Sequence, residues 1–131
     1  MENKKFNFKN YSKDLYEVEK ESQKKLVDTN GIKVCWRSWG KGTPLVLLHG
    51  GYGSWRHWIK QAIPFSKNFN VLIPDMPGFG ESDDLPLPHT PEKIASNLAD
   101  TLIKLISLNE NPLVCGLSLI HISEPTRRTS I

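Results

Sequence analysis

The sequence predicts an α/β fold built on a mostly parallel sheet with flanking helices. Three short apolar runs, at residues 45–48, 70–74 and 112–116, have the composition of buried strands. The first is continuously apolar, as in a strand that is covered on both faces of a sheet. Segments with helical character separate the runs, and this alternation specifies parallel strands joined by right-handed crossovers. A Gly-containing turn follows each run, and in open α/β sheets chemistry collects at the carboxyl ends of the strands.

A polar helical extension and a β-hairpin precede these runs. Residues 1–23 are rich in Lys and Glu and carry Tyr11, Leu15 and Val18 at helical spacing, which predicts a peripheral helix. Asn30-Gly31 suits a two-residue hairpin turn, because both central positions of a type I′ turn need positive φ. Residues 32–39 then alternate with roughly the period of a half-buried strand. One face carries Ile32, Val34, Trp36 and Ser38, and the other carries Lys33, Cys35, Arg37 and Trp39.

Two helices are predicted between the apolar runs. The first covers residues 55–65. The second begins at Pro91, a residue favoured in the first helical turn, and Thr90 before it can cap the helix. An apolar stripe at i, i+4 spacing supports this second helix. The stripe consists of Ile94, Leu98, Leu102 and Leu105.

Composition and charge exclude several classes of partner. The 131 residues are 38% hydrophobic and 24% charged, as in one small globular domain. The formal net charge is +3 and the lysines are interspersed with glutamates, so no nucleic-acid partner is expected. No run approaches the roughly 18 apolar residues of a membrane-spanning helix, and the N-terminus lacks the apolar stretch of a signal peptide. We therefore expect a cytoplasmic protein without membrane contact, in which Cys35 and Cys115 are buried reduced thiols.

The chain contains, in this order, the segments "PLVLLHGGYGSW", "VLIPDMPGFGESD" and "PLVCGLS". Their order and spacing resemble the N-terminal half of an α/β-hydrolase of the AB hydrolase-1 type. The resemblance covers residues 24–118 and implies a partial α/β-hydrolase fold that stops at the turn carrying the nucleophile. It divides the chain into an N-terminal extension at 1–23, half of a hydrolase domain at 24–116 and a tail at 117–131. The first two segments look most like those of small esterases and carbon–carbon-bond hydrolases.

The resemblance implies a nucleophile and an oxyanion hole. Ser118 stands at the nucleophile position of the family, in a Gly-x-Ser after the third apolar run. The oxyanion hole would consist of two backbone N–H groups, those of Gly51 and Leu119. Gly51 has no Cβ to obstruct the approach of a substrate oxygen. In the family, the catalytic acid and histidine follow the nucleophile in the sequence. The resemblance also implies that the reaction needs no metal or organic cofactor.

Other residues of the first Gly-rich turn are candidates for substrate contact. Tyr52, Trp55 and Trp58 are candidates for lining a pocket, and Gly50 is a further candidate for substrate contact. Aromatic residues three apart on a helix more often belong to a core, and this alternative applies to Trp55 and Trp58. His49 resembles the residue that packs or hydrogen-bonds this loop in the family, and it is not expected to be the catalytic base.

The second Gly-rich segment, "DMPGFGES", is predicted to fold over the oxyanion turn as a tight loop. Asp75 and Ser82 can bond local backbone, while Gly78 and Gly80 allow the loop to bend. A plain structural loop is as good an interpretation as direct contact with substrate.

Competing motifs are not matched. The glycines of "HGGYGS" lack the Lys-Ser/Thr pair of a phosphate-binding P-loop and do not fit Gly-x-Gly-x-x-Gly. Metal-ligand spacing is absent among the four histidines, so no metal site is predicted. They are His49, His57, His89 and His121.

The tail departs from the family pattern. Leu119 and Ile120 stand where the family carries a variable residue and then a glycine, and a β-branched Ile120 should clash in the tight turn. Pro125 falls in what should be a helix. Residues 117–127 resemble the translation of a common transposon-type sequencing-library adapter. We therefore expect that residues 117–131 are not native, and that the residue native to position 118 can be Ser, Asp or Cys.

The resemblance implies a hydrolase of the esterase or carbon–carbon-bond type, acting on a small ester or related carbonyl compound. An Asp at position 118 would instead give epoxide or haloalkane chemistry. A third interpretation is a non-catalytic small-molecule receptor, because function resides in sites and not in folds. The 131-residue chain itself is expected to be inactive and poorly soluble, because it lacks the acid and histidine and about half of the sheet.

Overall fold

The computed structural model describes residues 8–50, 53–107 and 109–116, with side chains from residue 13 onward. One helix and three strands come first, and a 3₁₀ turn at Trp55–Trp58 follows them. A helix, a strand, a helix and a last strand complete the order. The helices are α1 (Phe8–Lys20), α2 (Ile59–Phe65) and α3 (Pro91–Leu102). The strands are β1 (Gln23–Thr29), β2 (Ile32–Trp39), β3 (Thr43–Leu48), β4 (Phe69–Pro74) and β5 (Leu113–Gly116).

The five strands form one mixed sheet in the order β1-β2-β4-β3-β5. β3 lies between β4 and β5 and is parallel to both. β1 and β2 pair antiparallel, and β2 joins the sheet antiparallel to β4. The fold predicted from sequence is confirmed: a hairpin precedes a parallel α/β unit whose strands share one carboxyl edge.

The hairpin turn has the predicted geometry. Asn30 and Gly31 both have positive φ, 54° and 84°, as a type I′ turn requires. The carboxylate of Asp28 accepts a hydrogen bond from the Gly31 N–H at 2.9 Å. The turn fixes the register in which Val27 pairs with Val34.

The sheet has an apolar core on each face. α1, the 3₁₀ turn and α2 cover one face, and α3 covers the other. The first core contains Val18, Trp39, Leu47, Trp55, Ile59, Ala62, Val71 and Ile73. The second contains Val27, Val34, Trp36, Val46, Leu72, Met76 and Leu98.

The predicted cap and stripe of α3 are present. The hydroxyl of Thr90 accepts a hydrogen bond from the Lys93 N–H at 3.1 Å, and Pro91 opens the helix. The helix ends at Leu102, and Leu105 packs against the same core from the turns that follow. The other predicted helix begins as a 3₁₀ turn and becomes α-helical only at Ile59.

β5 differs from the prediction. All four of its residues are exposed, with Leu113 at 51% and Val114 at 47%. Cys115 is exposed as well, whereas Cys35 is fully buried. The expectation of a buried third strand and a buried Cys115 is therefore wrong. The reason is position: β5 is the outer strand beyond β3, and neither core of the described residues extends over it.

Within the described ranges, no helix combines the length and the apolar character needed to cross a bilayer.

Candidate active site at the carboxyl edge of the sheet

The parallel strands β3, β4 and β5 deliver three chain segments to the same edge of the sheet. β3 leads into His49 and Gly50, and β4 leads into Asp75 and Met76. Leu48 and Gly116, the last residues of β3 and β5, are register partners. In the sequence, position 118 comes two residues after the end of β5, just as Gly50 comes two residues after the end of β3. The topology places the ends of β3 and β5 side by side, and in the sequence the Gly-rich turn follows the first and the predicted nucleophile position follows the second.

His49 is a fixed, neutral part of this edge. It is 4% exposed, and its Nε2 accepts a hydrogen bond from the Met76 N–H at 2.9 Å. Because Nε2 accepts, the proton lies on Nδ1, which is 2.6 Å from the Gly50 carbonyl oxygen and donates to it. Burial lowers the pKa of His49 below its usual value of 6.5. Both ring nitrogens are engaged with backbone, which confirms that His49 hydrogen-bonds this loop.

Asp75 is a second fixed point, one residue before Met76. Its side chain is buried, and Oδ1 accepts a hydrogen bond from the Trp55 N–H at 2.9 Å. Oδ2 accepts from the Glu81 N–H at 3.0 Å and lies 3.3 Å from Nη1 of Arg37. One carboxylate thus joins the turn after β3, the loop after β4 and strand β2.

The loop of residues 75–82 is tied down by local backbone contacts. The Ser82 hydroxyl donates to the Asp75 carbonyl at 2.6 Å and accepts from the Cys35 N–H at 2.8 Å. Gly80 has a φ of 54°, and a Cβ there would overlap the Asp75 carboxylate. The predicted roles of Asp75 and Ser82 in bonding backbone are confirmed.

Trp55 lies in the core, which is the second of the two roles considered for it. It is 2% exposed, and its ring centroid is 5.6 Å from that of Trp39. The guanidinium of Arg37 lies over the ring at 4.9 Å. Trp58 is partly buried and packs against the same core. The indole of Trp55 therefore supports the turn from behind.

Arg37 is the residue of this region that sequence reasoning missed. The alternation in residues 32–39 assigned it to a face with Lys33, which suggested exposure, yet it is 2% exposed. α1 and Trp55 cover this face and bury it. A signal was present, because Cys35 and Trp39 share the face with Arg37 and are not polar surface residues.

Residues 43–107 match the family model described as alpha/beta hydrolase fold. This part of the chain belongs to the alpha/beta hydrolase fold family. The match includes the Gly-rich turn after β3, the loop after β4 and helix α3.

Among curated relatives, the chain is 39% identical over 54 residues to a soluble epoxide hydrolase of Corynebacterium sp., covering 41% of this chain and 19% of the relative. It is 28% identical over 102 residues to the 2-hydroxy-6-oxo-6-(2'-aminophenyl)hexa-2,4-dienoic acid hydrolase of Metapseudomonas resinovorans, covering 72% and 33%. Among solved structures, an epoxide hydrolase mutant of Vigna radiata superposes with a TM-score of 0.64 at 27% identity, covering 74% and 31%. The chain spans 19% to 33% of the length of these proteins.

The predicted site residues of this hydrolase fold divide into two groups. Gly50 and Trp55 are described: the Gly50 carbonyl accepts from the Gly53 N–H at 3.3 Å as well as from His49. The others lie outside the described residues, and they are Gly51, Tyr52, Ser118 and Leu119. In the sequence, the described residues Gly50 and Trp55 flank Gly51 and Tyr52.

No cluster of metal-binding side chains occurs in the part of the hydrolase fold that the structure describes. A cleft of about 510 Å³ lies at the opposite end of the sheet, lined by residues such as Lys41, Asn70 and Leu105. It faces the amino ends of β3 and β4, away from the carboxyl edge where chemistry is expected.

Proposed function

We propose that the whole protein, the product of the complete source gene, is a hydrolase that attacks a small organic substrate with a nucleophile at position 118. The observation that carries the proposal is the register of Leu48 with Gly116, the last residues of the strands that precede the Gly50 turn and position 118 in the sequence. The family match over residues 43–107 supports it. A geometry in which a nucleophile adjoins backbone N–H donors is the arrangement of acyl transfer.

The proposed oxyanion hole consists of the Gly51 N–H and the N–H of residue 119. Such donors act on charge that develops only in the transition state, so they accelerate the reaction more than they tighten substrate binding. Gly50 and Tyr52 adjoin the Gly51 donor and are proposed to contact substrate. Trp55 is proposed to act indirectly, as the packing partner of this turn.

With Ser at position 118, the substrate is an ester or a related carbonyl compound. A histidine from a later part of the whole protein removes the hydroxyl proton, the serine oxygen attacks the carbonyl carbon, and the leaving group departs with that proton. Water then releases the acyl group. The relative from Metapseudomonas resinovorans, named as a dienoic acid hydrolase, supports this class.

With Asp at position 118, the substrate is an epoxide. The carboxylate attacks a ring carbon, the ring oxygen takes up a proton, and water hydrolyses the resulting ester. The relative from Corynebacterium sp., named as a soluble epoxide hydrolase, supports this second candidate. Residues 117–127 resemble adapter sequence, so the residue that the source gene encodes at position 118 decides between the two candidate reactions.

The deciding experiment is expression of the whole protein and assay with p-nitrophenyl acetate, a vinylogous diketone and styrene oxide. Turnover of one class is expected, and an alanine at position 118 should lower it by about 10³-fold or more. Ser96→Ala, an exposed change on α3, is the matched control and should leave the rate unchanged. Full activity with alanine at position 118 would contradict the proposal. Binding of these compounds without turnover would favour a receptor.

A cytoplasmic location is part of the proposal. Cys35 and Cys115 are both free thiols, as is usual in a reducing compartment. The 131-residue chain without its continuation is proposed to be inactive, and measurable ester turnover that is lost on Ser118→Ala would contradict that.

A further inference from the structure

The turn proposed to carry the oxyanion donor is anchored on both sides by consecutive residues of the β4 loop. On one side, Met76 donates to His49, which in turn donates to the Gly50 carbonyl. On the other side, Asp75 accepts from the Trp55 N–H. Trp55 opens the 3₁₀ turn, so its N–H has no acceptor within that turn and depends on the Asp75 carboxylate.

Asp75 is itself held by a buried guanidinium. Arg37 lies 3.3 Å from Asp75 Oδ2 and 2.6 Å from Glu81 Oε2, and its side chain is 2% exposed. The Trp55 ring covers the guanidinium at 4.9 Å. The ion pair and the turn therefore share one buried assembly, in which Arg37 contacts the carboxylate that accepts from the Trp55 N–H.

Helix α1 reaches the same assembly. Glu19 Oε2 is 3.5 Å from Nη2 of Arg37. The indole N–H of Trp39 donates to the Val18 carbonyl at 2.8 Å, and the Val18 side chain packs in the core that contains Trp55. Two adjacent residues of α1 thus contact both the charged and the apolar support of the turn.

We propose that α1 positions the oxyanion turn through Arg37 and Asp75, so that Glu19 and Asp75 are positioning residues of the site. The role in catalysis rests on the proposed function, whereas the mechanical coupling does not. Three carboxylates surround one guanidinium, and neutralising Glu19 removes the only one that belongs to α1 among the described contacts. Arg37 is then free to shift toward Glu81, which weakens its hold on Asp75.

The test is amide hydrogen exchange of the whole protein by NMR, with the Trp55 amide as the readout. Glu19→Gln should speed exchange of this amide about threefold, and Asp75→Asn about tenfold or more. Glu17→Gln makes the same charge change at an exposed position of α1 and should have no effect. The Val46 and Val71 amides should not change, which separates loosening of the turn from general loss of stability.

Kinetics give the second readout. Both variants should lower kcat with little change in KM, because a displaced oxyanion donor is lost chiefly in the transition state. Unchanged Trp55 exchange in Glu19→Gln would overturn the coupling, whatever the activity. A wild-type protein that turns over no substrate would overturn the proposed function, while the exchange data would still decide the coupling.

Discussion

The carboxylate of Asp75 shows how much of this edge depends on single atoms. Its two oxygens accept from Trp55 and Glu81 backbone and pair with Arg37. The space around it is full, because a Cβ at Gly80 would overlap the carboxylate. Glycine at position 80 is therefore required twice, by its positive φ and by this close approach.

Gly80→Ala should destabilise the protein by about 2–3 kcal/mol, because it adds steric overlap to the strain of a positive φ. Gly31→Ala is the control: Gly31 also has positive φ, but nothing lies within 4 Å of its Cβ position. It should cost only about 1 kcal/mol. Urea unfolding measures both values, and equal costs would contradict the close approach of Gly80 to Asp75.

His49 predicts a specific loss of stability in acid. Burial lowers its folded pKa below 6.5, so between the two pKa values the unfolded chain binds more protons than the folded one. Its contribution is therefore fully present above pH 6.5 and is lost as the pH falls below that value. The stability difference between wild type and His49→Gln, from urea midpoints, should shrink from pH 7.5 to pH 5. A difference that is constant with pH would argue against a buried neutral His49.

At the scale of elements, the features that depend only on neighbouring residues were predicted correctly. Asn30-Gly31 and the Thr90 cap each act within a few residues, and both appear as expected. The burial of β5 is a property of its neighbours, and four apolar residues cannot indicate whether anything packs over them. The expected exposure of Arg37 is wrong for the same reason, because α1, which covers it, is not part of the β2 sequence.

The two cysteines should differ sharply in reactivity in the soluble, folded fraction of the 131-residue chain. Cys115 on β5 is exposed, whereas Cys35 on β2 is buried and burial raises its pKa to about 11. Iodoacetamide at pH 8 should therefore modify Cys115 and spare Cys35 until denaturant is added. Peptide mass spectrometry locates the label. Equal modification of both cysteines without denaturant would contradict the packing of β2.

At the scale of the molecule, the alternation of apolar runs and helices specified the parallel unit, and the structure confirms the order of its elements. The resemblance predicted a site at the carboxyl edge of the sheet. The register of β3 with β5 shows that these two strands end side by side at that edge. The contacts of α1 with the sheet could not be predicted from the sequence, because they depend on the long-range partners of Trp39 and Arg37. The roles of Gly51, Ser118 and Leu119 stay predictions.

Position 118 of the whole protein is proposed to carry the nucleophile. The most direct measurement is to treat the protein with a fluorophosphonate and, separately, with styrene oxide, quench in acid and locate the covalent adduct by peptide mass spectrometry. We expect an adduct on residue 118, a phosphonyl group if it is Ser or a hydroxyalkyl ester if it is Asp. An adduct on another residue, or catalytic turnover with no adduct at position 118, would contradict it.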